Sequence, residues 1–358
     1  MRGLLRLVSV SALLAVVGMV TLTVGLGVYL SARMQRVPVG GLAGSPIGEL
    51  NVLVVGLDDR EGFNAEELQA LGTNAVEGQR TDTILLVSVS GGRAAVLSFP
   101  RDLFVTECDG RSGRINSAYA IGGPTCLAQT VSRLAGIGID DYVEVNLFGF
   151  SQIVDAVGGV PILLEQPLKD RAAGLDLPAG CVVLDGRRAV GFVRARHIDA
   201  DGDLGRIARQ QRFLRALAVR VVSPRTIVNV PRLFRMAGLA GSSVTADEKL
   251  GPIDLVRLAL AANGQAGGGL ATYTVPGSFT KIGGADVIRL DTDAAEALFA
   301  RFRDGSILRT PPPDAAAGQA SGAPLSPSAR PPTRPGNGRL PSSHTLLRGS
   351  LGDCGRRR

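Results

Sequence analysis

Residues 80–102, RTDTILLVSVSGGRAAVLSFPRD, hold the pattern that decides the fold. Asp82–Ser90 and Arg93–Pro100 read as β-strands, and Gly91-Gly92 between them is a two-residue hairpin turn. Positions equidistant from that turn oppose each other, which sets Asp82 opposite Arg101 at the open end. Arg80 and Asp102 fall just beyond. Upstream, Asn51–Leu57 (NVLVVGL) reads as a buried strand followed directly by Asp58. If it runs antiparallel to the first hairpin strand, one sheet edge gathers Asp58, Arg80, Asp82, Arg101 and Asp102.

Downstream the pattern alternates with helices, so the fold class is α/β. Leu127, Val131 and Leu134 share a helical face before Gly136, as do Phe150, Ile153, Val154 and Val157 before Gly158-Gly159. Asp203–Val222 reads as a long helix ended by Ser223-Pro224. Helix and strand patterns continue over Leu255–Ala262, Ala271–Val275 and Ala294–Phe302. Asp203, Arg206 and Gln210 lie on one stripe at the start of the long helix, whose N-terminal dipole favours an anion. Arg194 and Arg196 project to one side if their segment is extended. From Pro311 onward Pro, Gly, Ser and Ala dominate with almost no core formers, the composition of a disordered tail.

Charge sharpens this division. The chain has 358 residues and a formal net charge of +7, but residues 1–36 carry +4, residues 311–358 carry +5 and the middle carries −2. A nucleic-acid partner is therefore not expected. Two histidines, His197 and His344, leave little for a Ser-His-Asp hydrolase or a multi-His metal site. Three Lys stand against 36 Arg, a bias that a GC-rich genome explains by itself. Function must rest on where particular arginines sit. Taken singly, each Arg reads as a surface ion-pair partner. Taken together at strand ends and a helix start, they suit phosphate or pyrophosphate, whose oxygens match guanidinium forks. A pair of carboxylates can hold Mg²⁺ when the substrate supplies further oxygens.

Leu7–Leu30 is a run of 24 residues without a charge. It can cross a hydrocarbon core of about 30 Å, which takes about 20 residues. Arg2 and Arg6 precede it, and no A-x-A-like cleavage site follows, so an uncleaved anchor with a cytoplasmic N-terminus is expected over a signal peptide. The organisation expected is a cytoplasmic tip and transmembrane helix (1–36), a Gly/Pro linker (37–49), an extracytoplasmic domain (50–308) and the tail (309–358). Cys108 and Cys126 flank a stretch with turn signals. A disulfide between them and two buried thiols are equally compatible with the spacing. Cys181 and Cys354 stand further apart, and no C-x-x-C pair suggests zinc.

At these residues the sequence resembles the LytR–CpsA–Psr family of extracytoplasmic cell-wall ligases. GLDDR (56–60), RTDT (80–83), SFPRD (98–102), RINSAYAIGG (114–123), GIGIDDYVEVNLFGF (136–150), VDAVGGV (154–160), LPAGCVVLDGRRAVGFVRAR (177–196) and DLGRIARQQ (203–211) occur in order. The resemblance implies a mixed sheet sandwiched by helices, with a long apolar pocket for a polyprenyl chain. It implies transfer of a glycopolymer from a polyprenyl-pyrophosphate carrier to peptidoglycan through a phosphodiester link at the lipid membrane. Asp58 and Asp82 match the family's Mg²⁺-binding acids, with Mn²⁺ as an alternative occupant. Arg80, Arg101, Arg194, Arg196, Arg206 and Gln210 match its pyrophosphate-binding set, with Arg101, Arg206 and Asp203 closest to the chemistry. Asp203 would orient Arg206 or assist as a base. The insertion Gly62–Gln79 is longer than the family usually carries. A non-catalytic carrier-binding protein and a polyprenyl-pyrophosphate phosphatase use the same parts and stand as alternatives.

Overall fold

The computed structural model describes residues 18, 21–44, 48–58, 64–70, 81–195, 203–221, 230–264, 270–309 and Cys354. Arg80, Arg196 and His197 lie outside these, as does nearly all of the C-terminal tail. Helical residues 21–31, α1, are the end of the uncharged run. Among the described residues no helix is long and apolar enough to cross a membrane.

The hairpin forms as its sequence dictates. β3 (Thr81–Ser90) and β4 (Arg93–Phe99) pair antiparallel from Ser90↔Arg93 to Ile84↔Phe99. Gly91 and Gly92 take φ of 55° and 72°, the left-handed pair that a tight turn matching the strand twist requires. β2 (Leu50–Leu57) lies antiparallel on the other side of β3, as expected. These three strands lie side by side in a seven-stranded mixed sheet. It adds β7 (Asp141–Asn146), β12 (Val244–Asp247) and β1 (Gln35–Val37) beyond β2, and β13 (Ala271–Thr274) beyond β4. β1 comes from the stretch between the uncharged run and the Gly/Pro segment. It pairs with β12 over Gln35↔Thr245 to Val37↔Asp247.

Alternation along the strands separates two faces. Leu53, Val55, Leu86, Leu97 and Phe99 point into the main core against α2 (Ser117–Ala135) and α8 (Thr292–Arg303). α2 is two helices end to end. Gly122 and Gly123 are non-helical, Gly123 with φ of 60°, and Pro124 restarts the helix where its missing N–H costs nothing. Gly136 ends it in the left-handed conformation, with its N–H donating to the Ser132 carbonyl. The opposite sheet face carries Val52, Val89 and Ala94 against α7 (Pro252–Gly264). Further along it Val54, Val87 and Val143 are only half-buried.

A second core gathers Val154 of α3 (Leu147–Ala156), Phe192 of α4 (Gly186–Arg194), Phe213 of α5 (Asp203–Val221) and Met236 of α6 (Val230–Ser242). Two small antiparallel strand pairs close it. They are β8 (Val160–Leu164) with β11 (Gly180–Leu184), and β9 (Leu168–Asp170) with β10 (Leu175–Leu177). A separate four-stranded sheet has the order β14 (Gly277–Ile282), β15 (Ala285–Leu290), β5 (Leu103–Thr106), β6 (Ser112–Arg114).

Two disulfides staple the chain, Cys108–Cys126 and Cys181–Cys354. The first joins the loop after β5 to the second half of α2 and resolves the choice left by the spacing in favour of the bond. The second attaches Cys354, inside the segment expected to be disordered, to β11. Non-reducing peptide mapping is expected to recover both pairs. Cys126→Ser, which opens an 18-residue span, is expected to lower unfolding free energy by about 3 kcal/mol in urea titrations.

Candidate active site at the open end of the hairpin

The site begins with an irregularity. The β2–β3 ladder pairs Gly56 with Thr83 but Leu57 with Thr81, so Asp82 is an extra residue in a β-bulge. A bulge bends its strand and re-aims the side chain it inserts. Asp58 follows Leu57 at once. The two carboxylates therefore issue from adjacent strands at one sheet edge.

Across the hairpin's open end Arg101 Nη1 donates to Asp82 Oδ1 at 2.6 Å. Both side chains are about one-fifth exposed, at 19% and 18%, so the pair is neither fully solvated nor sealed. The opposition expected from the turn is thus realised beyond the last ladder pair. Arg101 Nε also donates to Asp102 Oδ2 at 3.3 Å, and Arg114 Nε lies 3.4 Å from the other Asp102 oxygen. Arg114 Nη2 donates to the Asp286 carbonyl of β15 at 2.7 Å. Asp102 is therefore a bridge holding two guanidinium groups on the small sheet. Arg114 carries no mark in the sequence beyond its place at the head of RINSAYAIGG. The signal that could single it out is the antiparallel β5–β6 pairing, which sets it opposite Phe104.

α5 supplies the third side. Arg206 is 2% exposed and its Nη2 donates to the Asp82 backbone carbonyl at 3.5 Å. Burying a guanidinium is costly unless it is engaged, so the helix needs a firm seat. Gln211 provides it. Its Nε2 donates to Ser98 Oγ and Thr274 Oγ1, both at 3.0 Å, and Thr272 Oγ1 donates to its Oε1 at 3.1 Å. Arg215 reaches the same β13 edge through the Leu270 carbonyl at 3.1 Å, and burial pulls its pKa down. Gln210 turns the other way, donating to the Val193 carbonyl at 3.3 Å. Arg209, whose pKa burial also lowers, donates to the Ala195 carbonyl. Both residues tie α5 to the end of α4.

The expectation of an extended segment at Arg194 is corrected here. Arg194 is the last residue of α4, with Asp185 accepting from the Arg188 N–H as N-cap. Two glycines lower the helical preference of this stretch, and packing explains both. A methyl added at Gly186 would lie 2.3 Å from the Ser151 carbonyl oxygen, and one at Gly191 would lie 2.8 Å from that of Ala173. Asp203 opens α5, three residues before Arg206. The structure thus joins Asp82, Arg101, Asp102 and Arg206, with Asp58 at the same edge. Gln210 and Arg194 border the group through the α4–α5 contact.

A model of the LytR_cpsA_psr family matches residues 33–304. The chain belongs to the LytR–CpsA–Psr family. It is 40% identical over 256 residues to the probable cell wall biosynthesis protein LcpB of Corynebacterium glutamicum, covering 71% of this chain and 61% of that one. It is 32% identical over 197 residues to a polyisoprenyl-teichoic acid–peptidoglycan teichoic acid transferase, TagU, of Oceanobacillus iheyensis, covering 53% of this chain and 57% of that one. This chain spans between 55% and 61% of the length of the first curated relatives it matches. The LytR-Csp2A-Psr enzyme from Actinomyces oris superposes with a TM-score of 0.61 at 22% identity, over 76% of this chain and 96% of that one. At that identity the likeness speaks for the fold. The family fold, with its large mixed sheet, is the one observed here.

In this LytR–CpsA–Psr protein the donor set at the bulge suits a hard cation. Asp58 and Asp82 offer carboxylate oxygens from adjacent strands. Among the described residues no three His, Cys, Asp or Glu gather to hold a metal. Two acids fit Mg²⁺, which commonly completes its shell with water and substrate phosphate oxygens. They do not fit a closed four-ligand zinc site.

Gln211→Leu is expected to cost about 2 kcal/mol, because the Ser98, Thr272 and Thr274 hydroxyls lose their buried partner. A lowered urea midpoint with an unchanged slope checks this.

Proposed function

We propose that this chain transfers a glycopolymer from a polyprenyl-pyrophosphate carrier to peptidoglycan, leaving a phosphodiester link. The observation that carries the proposal is the convergence of Arg101 and Arg206 on Asp82 at the bulge, beside Asp58. It is a dense set of charge-assisted donors with no nucleophile or histidine among them. Such a site works by positioning and charge stabilisation, the main demands of phosphoryl transfer. The names of the relatives in Corynebacterium and Oceanobacillus support the same chemistry.

The acceptor in this reading is a peptidoglycan sugar hydroxyl. Its oxygen attacks the phosphorus that bears the glycan, the bond from that phosphorus to the polyprenyl phosphate oxygen breaks, and polyprenyl phosphate leaves. Arg101, fixed by Asp82 and Asp102, holds the pyrophosphate oxygens. Arg206 reaches them from the opposite layer. Arg80, Arg194 and Arg196 extend the anion site, and Gln210 sets the α4–α5 seam. Asp203 orients Arg206 or receives the hydroxyl proton. Mg²⁺ held by Asp58 and Asp82 supplies neutralisation of phosphate charge when bound.

The lipid needs an apolar site. The half-buried Val54, Val87 and Val143 on the sheet face beneath α5 and α7 support a place for it. The uncharged run Leu7–Leu30 supports a single-pass anchor, with the N-terminus cytoplasmic and the catalytic domain extracytoplasmic. Residues 50–308 would be that domain and 309–358 a tail outside it.

Arg101→Ala, Asp82→Ala and Arg206→Ala are each expected to abolish transfer while circular dichroism shows a folded chain. Chelation is expected to stop the reaction and added Mg²⁺ to restore it. The assay follows polyprenyl phosphate release and the glycan–peptidoglycan phosphodiester by mass spectrometry. Wild-type rates in all three variants would exclude the assignment. Polyprenyl phosphate release with free glycan phosphate and no new link identifies a phosphatase, and bound carrier without release identifies a binding protein.

A further inference from the structure

Helical residues 21–31 do not leave the domain as a free stalk. They are seated between α6 and α7. A methyl added at Gly27 would lie 3.1 Å from the Pro252 carbonyl oxygen, and one at Gly241 would lie 2.7 Å from Arg33 Cβ. Tyr29 and Phe234 meet edge to face with ring centroids 5.4 Å apart, and the Arg33 guanidinium sits 5.0 Å over the Tyr29 ring. Just past the helix, Arg36 Nη1 donates to the Asp247 and Leu250 carbonyls at 2.7 and 3.0 Å. The end of the uncharged run is thereby fixed in direction against two helices of the domain.

The flanks of this seam are apolar and open. Val24 and Val28 are 48% and 50% exposed, Ile253 and Leu260 of α7 75% and 55%, and Val230 and Leu239 of α6 39% and 36%. Ile253 and Leu260 are seven residues apart and so share one side of α7. Arg33 and Arg235 are exposed beside the Tyr29–Phe234 contact. An apolar stripe with a basic margin is the signature of a helix lying in a membrane interface. Continuity decides the occupant, since the open side chains on residues 21–31 belong to the very run that reads as the span.

We infer that α6 and α7 dock on the bilayer beside the anchor, sinking Ile253 and Leu260 into the interfacial region. The inference rests on the membrane reading of Leu7–Leu30. It gives the extracytoplasmic domain a set orientation on the lipid surface rather than a tethered, tumbling one.

The chain contains no Trp, so a single Trp is a clean depth probe. Full-length variants Ile253→Trp, Leu260→Trp, Val17→Trp and Phe279→Trp are reconstituted into vesicles of phosphatidylcholine and phosphatidylglycerol, with or without bromine on the acyl chains. Phe279 is 57% exposed on the four-stranded sheet and serves as the solvent control. Trp at 17, 253 and 260 is expected to lose about half its emission to the bromolipid or more, and Trp at 279 almost none. Quenching at 17 but not at 253 and 260 overturns docking and leaves the anchor standing. No quenching at 17 overturns the membrane reading itself, and docking with it.

Discussion

Most of the site follows from one extra residue in β3. With two residues opposite one at the Gly56–Leu57 step, the strand must bend. The ladder can no longer hold Asp82 in a regular position. Its carboxylate meets Arg101, its opposite in the hairpin register, while its backbone carbonyl accepts from Arg206 of α5. A bulge leaves its extra residue out of the ladder, so the Asp82 carbonyl can accept from one side chain while its carboxylate binds another. The bulge residue thus binds the hairpin through Arg101 and α5 through Arg206 at once.

The second requirement is the position of α5. Arg206 is almost wholly buried, and its helix lies over sheet edges that end in hydroxyls. Gln211 and Arg215 use those hydroxyls and carbonyls to set the helix height, while Gln210 and Arg209 set its contact with α4. Polar contacts of this kind contribute modestly each, but a mismatch by one helical turn would leave them all unmade. The stabilisation is secondary to the register it enforces on Arg206. The apolar second core, with Phe192 and Phe213, accounts for cohesion but would tolerate sliding far better.

How much of this was legible in the sequence differs element by element. A turn of two glycines fixes the hairpin register, so the opposition of Asp82 and Arg101 could be read directly, and the end of α2 at Gly136 likewise. The bulge could not be read, because alternation reports which face a residue takes and not where a strand slips. The α4 helix was hidden by Gly186 and Gly191, whose role is close approach to neighbouring carbonyls rather than helix formation. The bridging role of Asp102 depends on Arg114 arriving from β6, a pairing between short strands with little pattern of their own. Spacing admitted the Cys108–Cys126 bond without choosing it. Nothing in the spacing joined Cys181 to Cys354, since connectivity is a property of the folded chain.

That last bond alters what an end of the chain means here. Cys181 and Cys354 enclose 173 positions of sequence separation, including α5 and the main-sheet strands β12 and β13. In covalent terms the carboxyl-terminal stretch is an arc with both feet on the protein, one after Arg309 and the other on β11. A protease that cuts within the arc releases nothing: the severed strand stays attached through sulfur and parts only under reduction. If the domain works outside the cell, as proposed, where thiol reductants are scarce, a nick there would be survivable.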